Sequence, residues 1–172
     1  MKTRDLAEHV TELRRRLGTR RSIRRTVVAP GLELSTAAVP DGTDIELDLV
    51  LESIFEGVVV SGQIIAPWRG ECRRCLGAVE GVVVADLREI FEVTPTEGET
   101  WPLTGDEIDL EPIVRDAVLL ALPLAPLCDE ACRGPAPEAF PAVADDAVAD
   151  ASVAPPVRDP RWAALDDLDL GD

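Results

Sequence analysis

Apolar and polar positions alternate from Ile45 to Leu51, where Ile45, Leu47, Leu49 and Leu51 are separated by Glu46, Asp48 and Val50. A period of two predicts a half-buried strand, because successive strand side chains point to opposite faces. The same parity recurs from Val79 to Val93, where Val79, Val83, Ala85, Leu87 and Phe91 share a face. Between them, Phe55 to Ala66 is a longer apolar run, with Gly57 and Gly62 placed as bends or bulges. Earlier, Ile23 to Ala29 is rich in β-branched residues and stops at Pro30-Gly31, and Pro40-Asp41-Gly42-Thr43 reads as a turn. Consecutive strands joined by short turns favour antiparallel pairing. The pattern therefore predicts an α+β protein: a curved antiparallel sheet or small open barrel of about five strands, with one core helix and short terminal helices.

The helical signals are fewer. Leu6, Val10, Leu13 and Leu17 fall at helical spacing, with acids early, Arg14, Arg15 and Arg16 late, and Gly18 as a stop, which predicts a helix over residues 5–17. Thr94 to Gly105 reads as a polar loop carrying Trp101-Pro102. Asp109-Leu110-Glu111-Pro112 then opens a mostly apolar helix over about residues 110–122, which Pro123 ends. From 135 to 158, thirteen of twenty-four residues are Ala or Pro, the composition of a flexible linker. Asp159-Pro160-Arg161-Trp162 begins a last short helix, with Trp162, Leu165 and Leu168 on one face. Four segments follow: a basic helix and arm at 1–30, an acidic body at 31–134, the linker at 135–158 and a C-terminal docking helix at 159–172.

Charge sharpens the division. The 172 residues carry a formal net charge of −16. Residues 1–30 hold nine basic residues against three acids, so the remainder stands at −22. An acidic body repels phosphate backbones, so only the arm is placed to touch nucleic acid, through Arg14, Arg15, Arg16, Arg20, Arg21, Arg24 and Arg25. Alternatively, these arginines are a solvated helix end followed by a strand with outward cations, since the aromatics of a stacking platform are missing. The acidic body suits a basic protein partner, or serves solubility. No run is long enough to span a membrane and Met1 to Asp5 opens no secretory segment, so a cytoplasmic protein is expected.

Four cysteines carry the candidate chemistry. Cys72 and Cys75 form a Cys-x2-Cys knuckle at the tip of the hairpin between two strand runs, and Cys128 and Cys132 follow with Cys-x3-Cys spacing. Two close pairs far apart in sequence are the arithmetic of a four-thiolate zinc site, each pair supplying one edge of a tetrahedron. Thiols without metal, a redox pair and disulfides are the other readings, with disulfides disfavoured in a reducing compartment. The lone histidine, His9, has no serine near it, and neither common phosphate-loop spacing occurs, so no enzyme activity is expected.

Taken together, Phe55-Glu56-Gly57, Ala66-Pro67-Trp68-Arg69-Gly70-Glu71-Cys72-Arg73-Arg74-Cys75-Leu76, Asp109-Leu110-Glu111-Pro112-Ile113-Val114-Arg115-Asp116, Leu120 to Cys128 and Asp159 to Leu165 closely resemble the YceD family. These are the large-ribosomal-RNA-subunit accumulation proteins. The resemblance implies a non-enzymatic ribosome biogenesis factor that supports accumulation or processing of large-subunit ribosomal RNA. Its implied partners are a large-subunit ribosomal protein, precursor ribosomal RNA, or both, with neither DNA nor membrane. The rival reading from another class is a zinc-dependent thiol redox or chaperone-like protein. One departure stands out. Many members follow the second cysteine pair with Gly-Leu-Cys-Pro-x-Cys-Gly, whereas Gly134 to Phe140 here contains no cysteine. A site of Cys72, Cys75, Cys128 and Cys132 survives that loss, and a site built on the missing pair does not.

Overall fold

A computed structural model describes residues 6–139 of the chain. The elements run β1 (Ala7–His9), α1 (Thr11–Arg14), β2 (Arg20–Val27), β3 (Ala37–Ala38), β4 (Ile45–Ile54), β5 (Gly57–Glu71), β6 (Ala78–Glu92), β7 (Trp101–Thr104), β8 (Glu107–Asp109) and α2 (Glu111–Ala121). They build a curved, half-barrel sheet of order β1-β8-β7-β6-β5-β4-β2, with β3 pairing β5 off this path. The chain is thus mostly sheet, with eight strands where about five were expected. It is also mixed: β6 and β7 run parallel at Phe91 and Trp101, while the other pairs are antiparallel.

The period-two stretches become strands β4 and β6, and their parity decides the core. Leu47 pairs Ile64, which pairs Ala85; Leu51 pairs Val60. All five are buried on the inner face. Gly62 lies in β5 with φ +147°, and a Cβ there would meet the Asp48 carbonyl at 2.1 Å, so the close approach of β4 requires glycine. The two-residue turn at Phe55-Glu56 leaves Phe55 84% exposed, outside the apolar run it was grouped with.

Helix α2 covers the inner face through Ile113, Val114 and Val118, which join the same apolar cluster as Ala85 and Leu87. Asp109 Oδ1 accepts from Glu111 N–H at 3.0 Å at its start, and extended Leu122 before Pro123 ends it.

Two N-terminal and loop expectations are corrected. The helix over 5–17 is replaced by strand β1 and the single turn α1. Leu6, Val10 and Leu13 are buried as that pattern required, but Ala7–His9 pairs with Glu107–Asp109, and Leu17 is exposed. The loop at 94–105 ends in strand β7, seated between β6 and β8. Residues 136–139 belong to a second compact unit, where Ala139 N–H donates to Ala136 C=O at 3.0 Å. Most of the linker at 135–158 and the helix at 159–172 lie outside the described residues.

Candidate metal centre

Strands β5 and β6 are the longest in the sheet, and their hairpin carries the first cysteine knuckle past the end of the core. The turn is closed by Cys72 N–H donating to Gly77 C=O and by Leu76 N–H donating to Cys72 C=O, both at 2.8 Å. Leu76 adopts φ +59°, which reverses the chain immediately after Cys75. The second knuckle arrives on the extended segment after α2, and Arg73 N–H donates to Pro126 C=O at 2.9 Å to align the two. Arg74 completes the clasp: its guanidinium donates to the carbonyls of Glu130 (2.8 Å) and Cys132 (3.0 Å). Asp129 shapes the Cys-x3-Cys turn by accepting from Ala131 N–H at 2.7 Å and from Cys132 N–H at 3.0 Å.

The result brings all four sequence-predicted cysteines together, with their Sγ atoms within 4.8 Å of one another. Cys72 Sγ lies 3.8 Å from Cys132 Sγ, and Cys75 Sγ lies 3.7 Å from Cys128 Sγ, so none is disulfide-bonded. A tetrahedral ion with Zn–S bonds of about 2.3 Å has S–S edges of about 3.8 Å, so these spacings fit a four-thiolate zinc centre. Backbone N–H groups of Cys75 and then Cys128 aimed at its sulfur hold the Cys72 thiol down to about 6. Cys128 is pushed up to about 12, chiefly by hydrogen bonds with the side chains of Cys132, Cys72 and Cys75. Four thiolates at this separation repel one another unless a cation sits among them. The four sulfurs could hold a metal ion without any ligand from the stretch beyond Gly134.

The seven arginines take a different arrangement from a single free arm. Arg20 and Arg24 lie on the outer face of β2 and pair across the ladder with Glu52 (3.0 Å) and Asp48 (2.6 Å). Arg21 and Arg25 point to the inner face and both meet Glu8, the first at 2.8 Å. Arg14 pairs with Asp106 at 3.2 Å and Arg15 with Glu12 at 2.9 Å, while exposed Arg16 makes no ion pair among the described residues. Sequence reasoning missed Glu8 and Arg74, since neither stands in a pattern that marks its long-range partner.

The fold and the cluster together define the class: a curved-sheet protein with a four-cysteine centre clamped between a hairpin tip and the chain after α2. A family model described as "Large ribosomal RNA subunit accumulation protein YceD" matches residues 60–169, which include every cysteine and α2, and the chain belongs to this family. Uncharacterized proteins of Mycobacterium tuberculosis and Mycobacterium bovis are each 38% identical over 170 residues, covering 91% of this chain and 77% of theirs. One of Mycobacterium leprae is 36% identical over 169 residues, covering 92% of this chain and 75% of its own. No solved structure matches the chain. No helix among the described residues is long and apolar enough to cross a membrane.

Proposed function

We propose that the protein is a non-enzymatic biogenesis factor that supports accumulation of large-subunit ribosomal RNA, with a zinc ion at Cys72, Cys75, Cys128 and Cys132 as a structural part. The observation that carries this reading is the family match over residues 60–169. A structural zinc suits the site because a metal would fasten two knuckles that lie far apart in the sequence. The acidic body is suited to hold a basic large-subunit ribosomal protein, while Arg14, Arg15 and Arg16 lie at the surface where precursor RNA could be met. The redox alternative predicts a reactive thiol at Cys75 or Cys128, the more accessible sulfurs of the cluster, that reacts without prior chelation. The test is deletion of the gene with measurement of the large- to small-subunit ribosomal RNA ratio. A lowered ratio, restored by the wild-type chain and not by Cys75→Ser, is expected; an unchanged ratio would overturn the proposal.

A further inference from the structure

Strand β6 pairs with β5 along its whole length, but with β7 only at Phe91 and Glu92. From Ala78 to Ile90, no strand among the described residues covers the other side. Backbone groups alternate in direction along a strand, so about six residues present N–H and C=O to this open edge. The edge carries neither proline nor lysine, although Glu80, Asp86, Arg88 and Glu89 put charge along it. It is valine-rich, with Val82 and Val84 exposed.

Beside the edge runs an open groove of about 440 Å³ between β6 and α2. Its apolar lining includes Val84, Trp101 and Ala117, together with Leu120, which is 86% exposed although α2 buries its other side in the core. Its charged lining is Asp86, Glu89 and Asp116, and no lysine or arginine contributes. Glu89 accepts from Trp101 Nε1 at 2.9 Å, which holds it at the groove, while Asp86 accepts from Gln63 Nε2 at 3.0 Å on the exposed face of the β5–β6 ladder.

We propose that this edge and groove bind an extended basic peptide, which adds to β6 as a further strand. The main-chain groups of β6 supply the affinity common to all extended segments. Apolar side chains of the peptide on its inner side would lie over Ala117 and Leu120, and its cations would meet Asp86 and Asp116. Charge decides the occupant. A second copy of this chain would bring the same acids against each other across a two-fold axis, on chains that each carry −16. RNA would set phosphates against those carboxylates. The inference rests on the basic-partner reading above and locates the surface that serves it.

The test uses the full chain and a fluorescent ten-residue peptide alternating lysine and valine, read by anisotropy at two salt concentrations. Binding to wild type is expected to weaken at least tenfold in the double variant Asp86→Lys, Asp116→Lys. Both positions are exposed, so the variant should keep its circular dichroism. A glutamate-valine peptide should gain affinity for the same variant. N-methylation of the lysine peptide on one edge should abolish binding and on the other edge leave it intact. Unchanged affinity in the double variant, or equal binding of both methylated forms, would overturn the proposal. So would a dimer in sedimentation equilibrium that Val84→Lys disperses, because the edge would then belong to a second copy. A normal ribosomal RNA ratio in the deletion strain removes the ribosomal role without touching peptide binding, so the two failures are separable.

Discussion

Glu8, on one edge strand of the sheet, accepts a hydrogen bond from the guanidinium of Arg21, on the opposite edge strand, at 2.8 Å. Arg25, two positions further along the same face of β2, pairs with the other carboxylate oxygen. One acid therefore ties together the two ends of a sheet that is otherwise open, and the curvature brings them there. Glu8 is only 7% exposed, so these two guanidiniums stand where water would otherwise solvate its carboxylate.

Glu8→Ala is expected to lower unfolding stability by about 2–3 kcal/mol. Removing one member of a fully buried pair costs about 3–5 kcal/mol, and the figure here is smaller because both guanidiniums keep part of their surface in water. Denaturant titration checks it, and a loss below about 0.5 kcal/mol would show that apolar packing alone closes the sheet.

Metal analysis of protein purified under reducing conditions is expected to find close to one zinc per chain. Cys75→Ser should lose the metal, and a chelator should lower the melting temperature of the wild type while leaving that of the variant unmoved. Replacing Arg74 with Gln removes the clasp on Glu130 and Cys132 but no ligand, so metal should be retained and released faster. A metal-free wild type that melts cooperatively and ignores chelator would contradict the site.

Metal uptake should weaken as the pH falls. Cys128, pushed up to about 12, holds its proton throughout the neutral range and must release it to a bound cation. At least one proton is then exchanged, so apparent affinity should drop about tenfold or more per pH unit. Cys72, held down to about 6, is already largely ionised at pH 7 and contributes a proton to the exchange only once the pH falls through 6. In the metal-free protein the signs oppose. The lowered Cys72 value contributes stability at high pH that is lost as pH falls through about 6. The raised Cys128 value contributes stability present below about 9 and lost as pH rises towards 12. Calorimetry in buffers of different ionisation enthalpy counts the protons.

The arginines should divide into two groups by consequence. Changing Arg14, Arg15 and Arg16 to Gln breaks only exposed pairs, at a cost within about 1 kcal/mol. If this surface meets precursor RNA, the same change should weaken association with pre-ribosomal particles and flatten its salt dependence. Changing Arg21 and Arg25 to Gln strands Glu8 in the interior and should lower the melting temperature instead. Identical thermal shifts in the two sets would refute the division.

Strands β4 and β6 and helix α2 were legible in the sequence because one buried face imposes its own period, two for Ile45 to Leu51 and nearly four for Ile113, Val114 and Val118. The cysteine pairs were legible for a similar reason: the second pair's distance from the first matches a hairpin tip and a returning helix. The three-dimensional pairing decided the rest. Leu6, Val10 and Leu13 satisfy a helical spacing and are all buried, yet Ala7–His9 between the first two is a strand, because Glu107–Asp109, about a hundred residues away, offers a ladder. Local propensity is worth tenths of a kcal/mol per residue and yields to such pairing. Trp101–Thr104 became a strand on the same terms, through partners on both sides. The reach of Arg21 and Arg25 to Glu8 and of Arg74 to the second knuckle follows from curvature and chain return. The sequence by itself determined the buried parity of β4, β6 and α2 and which four sulfurs could meet; tertiary structure decided which edges close and which stay open, because hydrogen-bond ladders and ion pairs join residues whose separation along the chain carries no period.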